Sequence, residues 1–358
     1  MSTETRAFLI AEAGVNHNGS LDMAKRLIDA AAAAGADAVK FQTFRAEKLV
    51  TRDAPKAAYQ KRSTDAAESQ FDMIKALELD VAAHEALIVH AKAAGIEFLS
   101  TPFDGESLKL LQILGLKTIK VSSGDLTNAP FLLEIARAAE RVILSTGMST
   151  LDEVEAALGV LAFGFTAPAG SQPGRAAFEQ AFASETGRGT LALRVTVLHC
   201  TSEYPAPFDE VNLRAMDTLA EAFALPVGYS DHTTGIHVAI AAVARGATMV
   251  EKHFTLDRGL PGPDHKASLE PAELAQMVAA IREVERALGD GIKRPTASEL
   301  KNREVARKSL VAARALSAGE ALAIACKRPG TGMSPFDYWR MQSRTARRDY
   351  QADEALDE

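Results

Sequence analysis

FLIAEAGVNHNGSLDMAKRLIDAAAAAGADAVKFQT, residues 8–43, sets two short apolar runs around one amphipathic segment. FLIAEAG (8–14) and AVKFQT (38–43) have the length and composition of buried strands. Between them Leu21, Ala24, Leu27, Ile28 and Ala31 recur at helical spacing, with Ser20 placed as N-cap and Gly35 just past the end. A strand, a helix and a second strand make one βα unit, and the alternation continues. EFLSTP (97–102), TIKVSS (118–123), RVILST (141–146), RVTVLHCT (194–201), PVGYSD (226–231) and MVEKHFT (249–255) read as further strands, each followed by a helix-like segment. The last of those helices is PAELAQMVAAIREVERAL. Eight βα units in about 290 residues predict an α/β fold of the (β/α)8 TIM-barrel type. No GxGxxG follows the first strand, which argues against a dinucleotide-binding sheet.

The chain has 358 residues, 47% hydrophobic and 24% charged, as an ordinary globular protein has. A net charge of -7 argues against a dedicated nucleic-acid binder, so an anionic substrate must be held by local lysines and hydroxyls. MSTETRAFLIAEAG lacks the basic region and long apolar run of a secretory leader, and no apolar stretch reaches the roughly 18 residues of a membrane span. Cys200 and Cys326 have neither disulfide nor zinc spacing, so a reduced, cytoplasmic protein is expected.

The domain reading is a barrel over 1–288, a polar linker over 289–308, and a small β-rich domain over 309–358. The Gly/Pro/Ser/Ala-rich stretch 164–190 reads as an insertion between the fifth helix and the sixth strand.

Barrel enzymes carry their chemistry at the C-terminal strand ends. Those ends hold Glu12; Lys40 and Gln42; Ser100 and Thr101; Lys120, Ser122 and Ser123; Ser145 and Thr146; His199 and Thr201; Ser230, Asp231 and His232; and His253. Lys40, Thr101, Lys120, Ser123, Ser145 and Ser230 are cations and hydroxyls suited to a phosphate plus a carboxylate. His232 and His253 end the seventh and eighth strands, where two imidazoles would share a divalent metal with substrate oxygens and water. A single such histidine would more often be structural; the pair favours a metal.

Taken together, IAEAGVNHNG, VKFQT, LSTPFD, KVSSGD, LSTGM, HCTSEYP, GYSDHT, EKHFT and PGPD occur in an order that resembles the sialic acid synthase family along the barrel. KRPGTGMSP (327–335) resembles the antifreeze-like SAF domain that ends those enzymes. The resemblance implies condensation of phosphoenolpyruvate with an open-chain N-acetylated aminohexose, yielding a nine-carbon nonulosonate and phosphate. It implies Mn2+, with Mg2+ or Co2+ as the other candidate ions, on His232 and His253. Phosphoenolpyruvate contacts match Lys40, Thr101, Lys120, Ser123, Ser145 and Ser230. Glu12 matches the carboxylate that handles protons or water, with Lys40 and Asp264 grouped beside it as catalytic. Sugar contacts match Gln42, Tyr204 and Asp264. Arg328 matches an arginine that reaches the partner's barrel, which implies a domain-swapped homodimer.

Three departures from the family pattern bear on the sugar and the lid. Ser202 stands where N-acetylneuraminate synthases carry Asn beside the sugar, Asp125 stands where Glu is usual, and the SAF stretch before KRPG is shortened. HCTSEYP with PGPDHKASLEP leans toward synthases for N,N'-diacetyllegionaminate, acting on a 2,4-diacetamido-6-deoxy mannose analogue, over those taking N-acetylmannosamine to N-acetylneuraminate. His265 and Lys266 would then lie near the sugar or the lid, or else form a solvated turn. Pseudaminate and octulosonate-phosphate synthases are the enzymatic alternatives, and a non-catalytic carbohydrate-binding protein is the third.

Overall fold

A computed structural model describes residues 6–56 and 68–357. The first five residues of the stretch read for a leader lie outside it. Eight strands are parallel: β1 Phe8–Gly14, β2 Ala38–Thr43, β3 Glu97–Pro102, β4 Thr118–Val121, β5 Arg141–Ser145, β6 Val195–Cys200, β7 Val227–Asp231 and β8 Met249–His253. Pairing runs β3-β2-β1-β8-β7-β6-β5-β4, with β3 beside β4 closing the circle of a (β/α)8 barrel. Helices fill the connections: α1 Leu21–Ala33, α2 Ala46–Leu49, α3 Gln70–Ala76, α4 Val81–Ala94, α5 Gly105–Ile113 and α6 Ala129–Ala138. They continue with α7 Leu151–Thr166, α8 Arg175–Ala183, α9 Glu185–Arg194, α10 Ala215–Phe223, α11 His237–Ala244 and α12 Pro271–Leu288. The expected α1 forms with its N-cap in place, Ser20 Oγ accepting from Met23 N, and buries Ala24, Leu27, Ile28 and Ala31 against the sheet.

Alternation along the strands builds the site. Ile10, Ala38, Leu99, Ile143 and Leu198 pack together inside the barrel as an apolar plug. Two residues farther along the same strands, on the same face, stand Glu12, Lys40, Thr101, Ser145 and Cys200. Gly228 supplies β7's place in the plug, because a Cβ there would meet Leu198 Cδ2 at 2.6 Å. Apolar packing thus ends at one level, and polar groups begin immediately above it.

Stretch 164–190, between the fifth barrel helix and the sixth strand, is helical. It continues α7 to Thr166 and holds α8 and the start of α9, whose N-cap Ser184 accepts from Gly187 N. Phe178 of α8 meets Phe163 of α7 edge to face, with centroids 5.3 Å apart, so the added helix has an apolar seat on the barrel's outer layer.

Contacts divide the chain into two compact units, Met1–Gly289 and Asp290–Glu358. The expected linker is instead part of the second unit and carries a helix, α13 Ala297–Ala306, opened by a Thr296/Glu299 capping box. After it, β9 Ser309–Ala312 pairs antiparallel with β10 Ile324–Lys327, and α14 spans Tyr338–Gln342. Leu310, Ala312, Leu316, Leu322, Met341 and Tyr350 form the small core of this unit. No helix among the described residues is long and apolar enough to cross a membrane.

Candidate active site

At the C-terminal end of the barrel lies a cavity of about 420 Å³. Its floor is ionic. Lys40 Nζ lies 2.7 Å from Glu12 Oε2, 3.0 Å from Thr101 Oγ1 and 3.7 Å from Glu251 Oε2. Glu251 Oε1 accepts from Lys120 Nζ at 3.2 Å and from Ser230 Oγ at 2.8 Å. The Lys40–Glu12 ion pair is the shortest of these contacts. All four charged side chains are at most 5% exposed, and with both carboxylates ionised the two lysines and two glutamates offset one another.

The two carboxylates nevertheless differ. Burial pushes Glu12 up to about 7 despite the attraction of Lys40, and the charge on Glu251 pushes it the same way. Burial opposes ionisation of Glu251 too, but Lys120 and Lys40 together hold it below the usual range. Glu12 is therefore poised to exchange a proton near neutrality, while Glu251 stays a fixed anion. Gly14 makes this geometry accessible: φ is +53°, and a Cβ would come within 3.2 Å of Glu12 Oε1 and 3.4 Å of Gln42 Nε2.

Above the floor stand His232 and His253, ring centroids 5.6 Å apart, with Tyr204 against both at 4.2 and 5.5 Å. His232 Nδ1 donates to Thr201 O at 2.6 Å, which leaves Nε2 as the bare nitrogen. Burial keeps both rings neutral, and for His253 the proximity of His232 adds to it. Nδ1 of His253 is buried without a hydrogen bond, 3.9 Å from Asp264 Oδ2. Burial alone raises Asp264 to about 6. Two neutral, unprotonated imidazole nitrogens and a nearby carboxylate suit a divalent ion that takes its other ligands from substrate and water. Among the described residues no cluster of three His, Cys, Asp or Glu offers a self-sufficient metal cage.

The polar rim completes the set. Ser145 Oγ is buried with no partner, Ser123 Oγ accepts from Gly147 N at 2.9 Å, and Ser202 and Gln42 line the same cavity. Every barrel residue read from the sequence as catalytic, anion-binding, sugar-binding or metal-binding therefore borders one space. Arg328 lies exposed in the second unit, just after β10.

Other strand-end candidates do structural work. Ser100 and Thr43 bond each other, and Thr43 reaches His84 Nε2 at 2.8 Å. Asp231 pairs with Lys252 Nζ at 2.8 Å, both side chains fully buried, and so ties β7 to β8 beneath the histidines. His265 is neither a sugar contact nor a solvated turn: it is buried between Thr255 Oγ1 (2.7 Å) and Asn18 Oδ1 (3.1 Å), while Lys266 is exposed. Glu251 and Cys200 are among the cavity residues that the sequence reading missed. Strand alternation carried the signal, because Glu251 lies two positions before His253 and must share its face.

Comparison with known proteins agrees with this geometry. The NeuB family model matches residues 27–293. The chain is 49% identical to an N,N'-diacetyllegionaminic acid synthase of Campylobacter jejuni, over 99% of each sequence. It is 45% identical to the synthase of that name from Legionella pneumophila, over 92% of this chain and 87% of the relative. The crystal structure of a sialic acid synthetase from Leptospira borgpetersenii superposes with TM-score 0.67 at 33% identity, covering 84% of this chain and 90% of that one. With its barrel, its strand-end residues and full-length relatives all in agreement, the chain belongs to the NeuB family.

Proposed function

We propose that this chain, an enzyme of the transferase type like its synthase relatives, joins phosphoenolpyruvate to the open-chain aldehyde of a 2,4-diacetamido-6-deoxy mannose analogue. The products would be N,N'-diacetyllegionaminate and inorganic phosphate. The observation that carries the reading is one cavity with two buried lysines and serine and threonine hydroxyls at its floor, that of Ser145 unpartnered, and two neutral imidazoles facing them. A carbon–carbon bond forms between the enol carbon and the aldehyde carbon, the aldehyde oxygen gains a proton, and water adds as phosphate departs. The sum is phosphoenolpyruvate, aldehyde and water giving 2-keto acid and phosphate.

Lys40 and Lys120 with Thr101, Ser123, Ser145 and Ser230 hold the two anionic groups of phosphoenolpyruvate, and Ser145 has a hydroxyl free to donate. Glu12, with its raised affinity for a proton, moves protons at the reacting carbons beside Lys40. Asp264, Gln42, Ser202 and Tyr204 orient the sugar. Mn2+ on His232 and His253 would supply Lewis-acid polarisation of the aldehyde. Among the described lining residues there is no arginine, so a phosphorylated sugar would find no guanidinium there. In the second unit Arg328 would reach the sugar tail in the barrel of a second copy, in a domain-swapped homodimer with an SAF-type lid.

Phosphate release from phosphoenolpyruvate with Mn2+ tests the proposal. Turnover with the 2,4-diacetamido-6-deoxy sugar above that with N-acetylmannosamine supports it; preference for N-acetylmannosamine replaces the sugar, and no release with any sugar refutes the chemistry. Arg328→Ala should raise the sugar KM and leave that for phosphoenolpyruvate unchanged, and an unaltered sugar KM removes the lid.

A further inference from the structure

The cavity is chemically lopsided. Toward β4–β7 its wall is mainly polar, through Ser122, Ser123, Ser202 and Tyr204, with Met148 and Cys200 among them. Above β2 and β3 it changes character. Gln42 and Thr101 face each other in register, and the pairing continues past the strand end through Phe103 N to Thr43 O at 3.0 Å. The next side chains outward on that face are Phe44 and Phe103, whose rings meet edge to face at 6.3 Å. Val15, Phe44 and Leu77 form a small separate core with Leu49, Ile74 and Phe103 packed on it. Leu49, Ile74 and Phe103 are only half-buried and line the cavity, so the core turns an apolar face toward it.

A wall of this kind is costly beside a fully hydroxylated sugar, because each hydroxyl pressed against it loses water and gains no partner. Methyl groups lose nothing there. We infer that Leu49 and Ile74 select the acceptor by receiving its apolar tail, the methyl of a 6-deoxy carbon, and by disfavouring a 6-hydroxyl. The inference rests on the synthase reading above and assigns the specificity to residues outside the polar contact set. It also explains why α2 and α3, which carry no charged group into the cavity, are brought over its edge.

The test compares two synthetic acceptors, 2,4-diacetamido-6-deoxymannose and its 6-hydroxy form, at saturating phosphoenolpyruvate and Mn2+. The full-length enzyme should favour the deoxy form by roughly ten- to a hundredfold in kcat/KM, the range open to an apolar pocket facing one added hydroxyl. Ile74→Thr, which keeps the branched Cβ but shortens the side chain and adds a hydroxyl, should narrow that ratio, mainly through the deoxy sugar's KM, with the KM for phosphoenolpyruvate unchanged. Leu49→Asn, on a different helix, should act in the same direction and guards against a folding defect in either variant. Equal use of both sugars by the unaltered enzyme overturns the inference and leaves the synthase reading intact. A ratio that neither variant moves assigns the selection elsewhere and overturns it too. Failure of every sugar to release phosphate removes the synthase reading and this inference with it.

Discussion

Glu12 and Glu251 show how one residue type takes two roles a few ångströms apart. Glu12 answers to one near lysine and a like charge, Glu251 to two lysines and a serine, and only the first is left with an affinity for protons near pH 7. Glu12→Gln should therefore fold normally and lose about 10²–10⁴-fold in kcat, the usual contribution of a positioned acid–base group; phosphate-release kinetics beside a thermal melt would check it. A second titration belongs to folding. His17 is buried near His84 and His265, and burial holds it down to about 4 from an ordinary 6.5. The unfolded chain thus takes the proton first, so stability should be level above about pH 6.5 and fall as pH drops toward 4. Urea midpoints across that window, with His17→Gln flattening the curve, test the sign. Lys40, His232 and His253 were legible in the sequence because strand ends announce them. Glu251 was not, because beside Lys252 it reads as half of a surface charge pair; in the barrel Glu251 faces in and Lys252 out to Asp231.

Strands and helices differ in how plainly the sequence declares them. The barrel strands are bounded by turns and written in apolar runs, so all eight were readable. The segment at 297–306 was misread as a linker, and the helices within 164–190 went unread, because Ser and charged residues in the one and the Gly/Pro/Ser-rich flanks of the other imitate a loop. Their caps, Ser184 and the Thr296/Glu299 box, were the available signals. Between elements, the Lys252–Asp231 pair joins β7 to β8, and Asp231 also accepts from Thr233 N at 2.9 Å. Removing one member strands the other charge in the interior. Lys252→Met should cost about 3–5 kcal/mol in urea unfolding, and adding Asp231→Asn should recover part of it.

For the whole molecule, the barrel and the small C-terminal β unit were readable from the order of motifs, whereas the boundary at Asp290 was not, since polarity alone cannot tell a linker from a helix of the next unit. The neutral quartet on the floor also sets how the first substrate arrives. Once Glu12 has lost its proton, above about pH 7, Lys40 and Lys120 are offset by Glu12 and Glu251 and the site has no surplus positive field, while the chain as a whole carries -7. A multivalent anion then approaches against a weak repulsion and is attracted only once inside. Above about pH 7, capture should consequently be slow for a charged metabolite and indifferent to salt, or faster as salt screens the protein, within a Debye length of roughly 10 Å at 0.1 M. A kcat/KM for phosphoenolpyruvate that falls steeply with ionic strength would mean that the lysines are not neutralised before the ligand comes.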